Sequence, residues 1–196
     1  LTHGAYFMLG AYVGLSVLQA GWGFVEAVAI AGAVIAVGGG FVQRVILSKL
    51  GDRVLAQVLV TLGLSFIIAD LCLMLWTGDP WQPATPDHLR GAVQVAGLYF
   101  PLYRLVIVLV AVAIAVALWL LVDWTRLGAM IRAGVDDAPI ARVVGIRVSQ
   151  LFTLVFALGA ALAAFGGVMG APYLSVYPGL DFEMLPLALI VVILGG

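Results

Sequence analysis

The chain predicts an all-α, polytopic membrane protein, on three observations. Its 196 residues are 64% hydrophobic and only 10% charged, far from the mixture that keeps a soluble domain of that size dispersed. The apolar residues gather into continuous runs of about 20, the length that crosses a hydrocarbon core of about 30 Å at about 1.5 Å per residue. The strict polar and apolar alternation of a membrane barrel is absent, so the runs are helices.

Apolar runs fall at residues 4 to 22, 24 to 42, 58 to 77, 102 to 123 and 151 to 171, and another begins near Leu185 and is cut off at Gly196. The expectation is about six transmembrane segments, the last incomplete. Because the chain opens at Leu1 and closes on Gly195-Gly196 directly after an apolar run, it is expected to be a piece of a longer protein, and no charged leader with a cleavage site opens it.

In the first run, His3 precedes Gly4 and reads either as a structural cap or as a lining group. Gly10 and Gly14 have the small-xxx-small spacing that lets helices approach closely, as do Gly159 with Ala163 and Gly166 with Gly170 in the fifth run. Glu26 opens the second run at a boundary position, and Gly38-Gly39-Gly40 near its end suggest a bend or break. In the third run, Thr61 and Ser65 share a helical face while Asp70 lies roughly opposite. An ionisable residue in an apolar run is costly and usually faces protein or water, so Asp70 is a pathway candidate, or else pairs with Arg90 or Arg104 near the interface. Cys72 is the single cysteine, which leaves no disulfide and no thiolate metal site within the chain. Residues 78 to 101 carry Pro80, Pro83, Pro86 and Pro101 with Asp79, Asp87, His88 and Arg90, a composition that favours turns. Asp123 closes the fourth run at a hydrated boundary.

Basic residues set the orientation. Arg44, Lys49 and Arg53 follow the second run, and Arg126, Arg132, Arg142 and Arg147 follow the fourth, against only Arg90 and Arg104 on the other side. The positive-inside rule puts the larger group in the cytoplasm. Trp22, Trp76, Trp81, Tyr99 and Tyr103 then mark the outer boundary, and Trp119 and Trp124 the inner one.

The most patterned hydrophilic stretch is TRLGAMIRAGVDDAPIARVVGI at 125 to 146. Leu127, Met130, Ile131, Gly134 and Val135 repeat at helical spacing until Asp136-Asp137-Ala138-Pro139 interrupts them. Asp is a good N-cap and Pro is tolerated in a first turn, so a second helix starts there, with Ile140, Val143 and Val144 as its apolar strip and Gly145 as its end. Two short amphipathic helices of this kind either lie against lipid headgroups or dock into a groove on a partner.

The polar inventory excludes much chemistry. His3 and His88 fall in different segments, no HExxH, GxSxG or Walker-type loop occurs, and the net charge of −1 offers no nucleic-acid surface. No catalytic site, metal site or bound cofactor is expected, and the chain cannot hydrolyse ATP by itself. An ion-coupled secondary transporter is the alternative to a subunit of a larger machine, with Asp70 as its support.

Four segments in order resemble the permease subunits of branched-chain amino acid ABC importers of the Liv type, over nearly the whole chain. These are THG with FMLGAYVG at 2 to 14, VTLGLSFII at 60 to 68, the 125 to 146 stretch with its Thr, Gly, Arg-Ala, acidic pair and closing Gly-Ile, and FALGAALAAFGGVMGA at 156 to 171 before ILGG at 193 to 196. Where members often carry a polar residue, this chain has Pro139-Ile140-Ala141, which leaves no support for an ion pair at that point. The resemblance implies one partial transmembrane domain over 1-196 with a cytoplasmic coupling loop at 124-150, in a multi-pass protein of the cell (inner) membrane. It also implies a second permease subunit, identical or different, ABC ATPase subunits inside that use the ATP, and an extracytoplasmic substrate-binding protein. Branched-chain amino acids or related small solutes would be the cargo. The coupling residues it implies are Arg126, Gly128, Arg132, Asp136, Asp137, Gly145 and Ile146.

Overall fold

The computed structural model describes residues 2–51, 53–86, 89–95 and 98–195. By contact density the chain divides into two compact units, Leu1–Pro83 with Thr153–Gly196, and Ala84–Phe152.

The first unit is built around α1 (Thr2–Gln19). Helix α2 (Phe24–Val42) runs on through a π-helical turn, Gln43–Leu47, into the short α3 (Ser48–Leu50), and α4 (Val54–Trp76) follows. Most of α8 (Val148–Leu174) and all of α9 (Leu180–Gly195) complete the unit. Ala5, Tyr6, Met8, Ala11, Tyr12 and Leu15 of α1 are buried with Ile35 of α2, Ile68 and Cys72 of α4, Ala160 and Ala164 of α8, and Leu180. Small residues permit this contact. A Cβ on Gly10 would fall 2.4 Å from the Ala164 Cα, and one on Gly167 2.0 Å from the Phe7 carbonyl oxygen. Where lipid and protein are equally apolar, close backbone approach is what makes helices associate. Polar and aromatic ties join α1 to α4: the Trp76 indole donates to Ser16 Oγ at 2.7 Å, Ser16 donates to the Tyr12 carbonyl, and the Tyr12 and Trp76 rings stack with centroids 5.2 Å apart.

In the second unit an antiparallel hairpin, β1 (Ala92–Val95) and β2 (Leu98–Pro101), leads directly into α5 (Leu102–Trp124). Helices α6 (Arg126–Asp136) and α7 (Ala138–Val143) follow, then the start of α8.

Among the described residues, four helical stretches are long and apolar enough to cross a membrane: Phe24–Leu50, Val54–Trp76, Leu102–Trp124 and Val148–Leu174. The count of about six is therefore corrected. Helix α1 carries Thr2, His3, Ser16, Gln19 and several glycines, and protein rather than lipid surrounds its buried face, so its sequence is less uniformly apolar. Helix α9 has 16 residues, with Asp181 and Glu183 in its first turn and Pro186 inside it. Other expectations shift as well. The glycine triplet does not break α2, because Gly39 lies against Ala160 and Tyr6, and the irregularity comes one turn later as the π-helical segment. Arg44 and Lys49 therefore sit on helix rather than in a loop. Part of the proline-rich outer stretch forms the hairpin; Asp87 and His88 lie outside the described residues. The glycine pairs do serve packing, and His3 is no cap: its ring meets Tyr6 and Phe156 edge-on, with centroids 6.0 and 5.1 Å away.

Candidate functional site

Residues 125 to 146 fold as two short helices whose ends are satisfied internally. The Thr125 hydroxyl caps α6, accepting from the Gly128 N–H at 3.2 Å, and donates to the Leu121 carbonyl at 2.5 Å. The chain turns so tightly there that a Cβ on Gly128 would lie 2.0 Å from the Val122 carbonyl oxygen. Arg132 reinforces the turn. Its guanidinium donates to the Val122 carbonyl and stands 3.6 Å from the Asp123 carboxylate, both side chains about half exposed, a setting in which an ion pair contributes about 0–1 kcal/mol.

Asp137 joins the two helices. Its N–H reaches the Ala133 carbonyl at the end of α6, while its carboxylate accepts from the Ile140 N–H at 3.0 Å to cap α7, a contribution of about 1 kcal/mol. Pro139 sits in the first turn of α7, where its missing N–H costs nothing. At the far end the Ile146 N–H bonds the Ala141 carbonyl at 3.0 Å and the Gly145 N–H bonds the Arg142 carbonyl at 3.1 Å. That pair of bonds is a Schellman closure, and it needs the left-handed backbone that Gly145 supplies at φ +89°.

Leu127, Ile131 and Gly134 turn inward, Gly134 against Leu151 and Val148 at the start of α8. The outward side is apolar too. Val135 is 68% exposed, Ile140 62%, Val143 86% and Val144 70%. The seven residues expected to serve coupling therefore separate by what they do in the structure. Gly128, Arg132, Asp137, Gly145 and Ile146 build the element. Arg126 and Asp136 are exposed at its surface and form no hydrogen bond or ion pair among the described residues. Each also opposes its helix dipole, Arg126 at the N-terminus of α6 and Asp136 at its C-terminus, so neither is there to stabilise the helix.

In the first unit Asp70 is exposed, on the face of α4 away from buried Ile68 and Cys72. Thr61 and Ser65 spend their hydroxyls on carbonyls of their own helix. The buried carboxylate is Asp181, only 2% exposed at the start of α9, with Oδ1 lacking a hydrogen-bond partner. An unsatisfied buried polar atom costs about 1–3 kcal/mol, more for a charged group. Sequence reasoning passed over Asp181 because it precedes the last apolar run. The available signal was the Pro178-Gly179 turn, after which a helix could begin with an acidic residue in its first turn.

The family described as branched-chain amino acid transport system / permease component matches the chain over residues 1–196. The high-affinity branched-chain amino acid transport system permease protein LivH of Escherichia coli (strain K12) is 27% identical, the alignment covering 100% of this chain and 68% of LivH. The corresponding permease protein BraD of Pseudomonas aeruginosa is 26% identical over 74% of this chain and 49% of its own length. The autoinducer 2 import system permease protein LsrC of Klebsiella pneumoniae is 33% identical over 63% of this chain and 35% of its own. No solved structure shows a significant match.

Proposed function

The chain belongs to the family of branched-chain amino acid transport permease components, and from that premise we propose that residues 124–150 are the element through which a cytoplasmic ATPase subunit drives it. The chain is a multi-pass membrane subunit of an ABC import system, a transport subunit rather than an enzyme. Its cargo, on this reading, is a branched-chain amino acid or a related small solute. A second permease subunit completes the pathway, and an extracytoplasmic binding protein delivers the substrate.

The observation that supports the coupling role is the apolar strip Ile140, Val143 and Val144, exposed on an element whose backbone ends are already satisfied. A helix left exposed in this way suits a groove on a partner. Its apolar side chains would supply affinity, while the unpaired charges of Arg126 and Asp136 would fix register. Internal capping makes the element stiff enough to pass a displacement into the helices at either end. Asp70, pointing away from the core of its own unit, serves the pathway in this reading only where a second subunit faces it.

The test is a double substitution, Val143→Glu with Val144→Glu, in the importer reconstituted with its ATPases and binding protein. Both side chains are exposed, so membrane insertion and thermal stability should not change. Substrate-stimulated ATP hydrolysis should fall to the unstimulated rate. Normal stimulation in the variant would remove the strip from the coupling interface.

A further inference from the structure

Asp181 lies inside the bundle, not at its rim. Helices α1 and α8 run in the same direction, since His3 meets Gly159, Gly10 meets Ala164 and Gly14 meets Val168. After α8 ends at Leu174 the chain turns back: a Cβ on Gly4 would lie 2.8 Å from the Asp181 carbonyl oxygen, ten residues or about 15 Å of helix below Gly14. The returning segment is fixed by a two-way backbone bridge between Trp81 and Val176, at 2.8 and 2.6 Å. The Gln82 side-chain amide donates to the Pro172 carbonyl at 2.8 Å. Left-handed backbone at Ser175 (φ +61°) and Gly179 (φ +109°) makes the reversal. Helix α9 thus starts part-way along the bundle.

We propose that Asp181 receives the ammonium group of an amino acid passing through the bundle. The proposal rests on the reading of the chain as an amino acid importer subunit and names a contact within its pathway. The Asp181 side chain is buried, and its Oδ1 is left without a partner. Protonation would not satisfy that atom, because a carboxyl O–H needs an acceptor in turn. A divalent ion would need several further oxygen ligands, and no cluster of three His, Cys, Asp or Glu occurs among the described residues. A single carboxylate suits a compact monovalent cation. The Tyr12 hydroxyl is also buried without a partner, and Tyr12 and Cys72 share one buried cluster with Leu180, the residue before Asp181. Met8, Ile68, Val176 and Leu180 supply the aliphatic surroundings that a branched side chain would match. The site is closed in this conformation, so cargo reaches it when α1, α4 and α9 separate during the cycle.

The experiment uses the complete reconstituted importer. Leucine uptake in Asp181→Asn should fall about tenfold or more, with ATP hydrolysis stimulated by the docked binding protein retained, and Asp181→Glu should recover part of the uptake. Cys72, the only cysteine of the chain, gives a readout that does not depend on transport. During turnover in the unsubstituted complex, an ethylammonium methanethiosulfonate should modify Cys72 faster than the ethylsulfonate reagent, and leucine should slow it. That preference should vanish in Asp181→Asn. Undiminished uptake by the Asn variant, equal rates for the two reagents, or a Cys72 inert throughout turnover would each overturn the proposal. If the unsubstituted complex shows no ATP-dependent uptake, the importer reading fails instead.

Discussion

The two-helix element at 125 to 146 and the bundle interior around α1 and α9 depart from their surroundings in opposite ways. In the element every helix end is capped from within, yet Ile140, Val143 and Val144 are left exposed. In the bundle, glycines and alanines pack backbone against backbone, yet Thr2, Tyr6, Tyr12 and Asp181 keep buried polar atoms without partners. Folding alone would reward neither arrangement, since apolar exposure and polar burial both cost free energy. The proposed roles give each region its company: a partner's apolar groove at one, a polar or charged cargo group at the other.

The bundle should be the more fragile to added volume. Gly167→Val places atoms where the Phe7 carbonyl already lies, and should destabilise the helix packing by about 3 kcal/mol, the upper end for overpacking. Thermal unfolding in detergent reads this directly, and an unchanged midpoint would show that the α1 and α8 backbones do not approach as closely as described. The element should instead respond to backbone geometry. Around Gly145 there is open space, but its φ of +89° disfavours a branched residue, so Gly145→Val should cost about 1–2 kcal/mol locally. Faster amide exchange across α7 and loss of stimulated ATP hydrolysis should follow, with Gly145→Asn much milder.

The smallest stability effects separate the two neighbouring acids. Asp137→Ala removes the cap of α7 and should cost about 1 kcal/mol. Asp136→Asn should leave stability unchanged or raise it by about 0.3–1 kcal/mol, because it removes a negative charge from a helix C-terminus, while stimulated hydrolysis drops. If Asp136→Asn couples normally, Asp136 has no role in register.

Much of the two-helix element was legible because its signals are local. A cap from the Asp136-Asp137 pair, Pro139 in the first turn and Gly145 as terminator all act within four residues of the chain; the structure makes Asp137 the cap and puts the other two where the spacing did. The outward strip of α7 was legible for the same reason. Helix α6 was read less finely, since Met130 and Val135 share the helical period with Leu127 and Ile131 but lie exposed at the edges of that face. Asp70 drew attention as a charge in an apolar run, and it is exposed on its unit. Asp181 drew none, and it is buried. Hydropathy measures the cost of placing a residue in lipid; it does not say which face of a helix protein covers.

By itself the sequence determined the all-helical membrane class, the limits of most long helices, and the caps of the loop, because backbone hydrogen bonding in lipid and at helix ends is satisfied by near neighbours in the chain. Only the tertiary structure decided that α1 is a core helix. It alone carried α2 past its glycines and turned the chain after Leu174 back into the bundle. Those outcomes depend on contacts between residues far apart in sequence, such as Gly10 with Ala164, Trp81 with Val176 and Gly4 with Asp181, and no periodicity along one segment encodes what another segment will press against it.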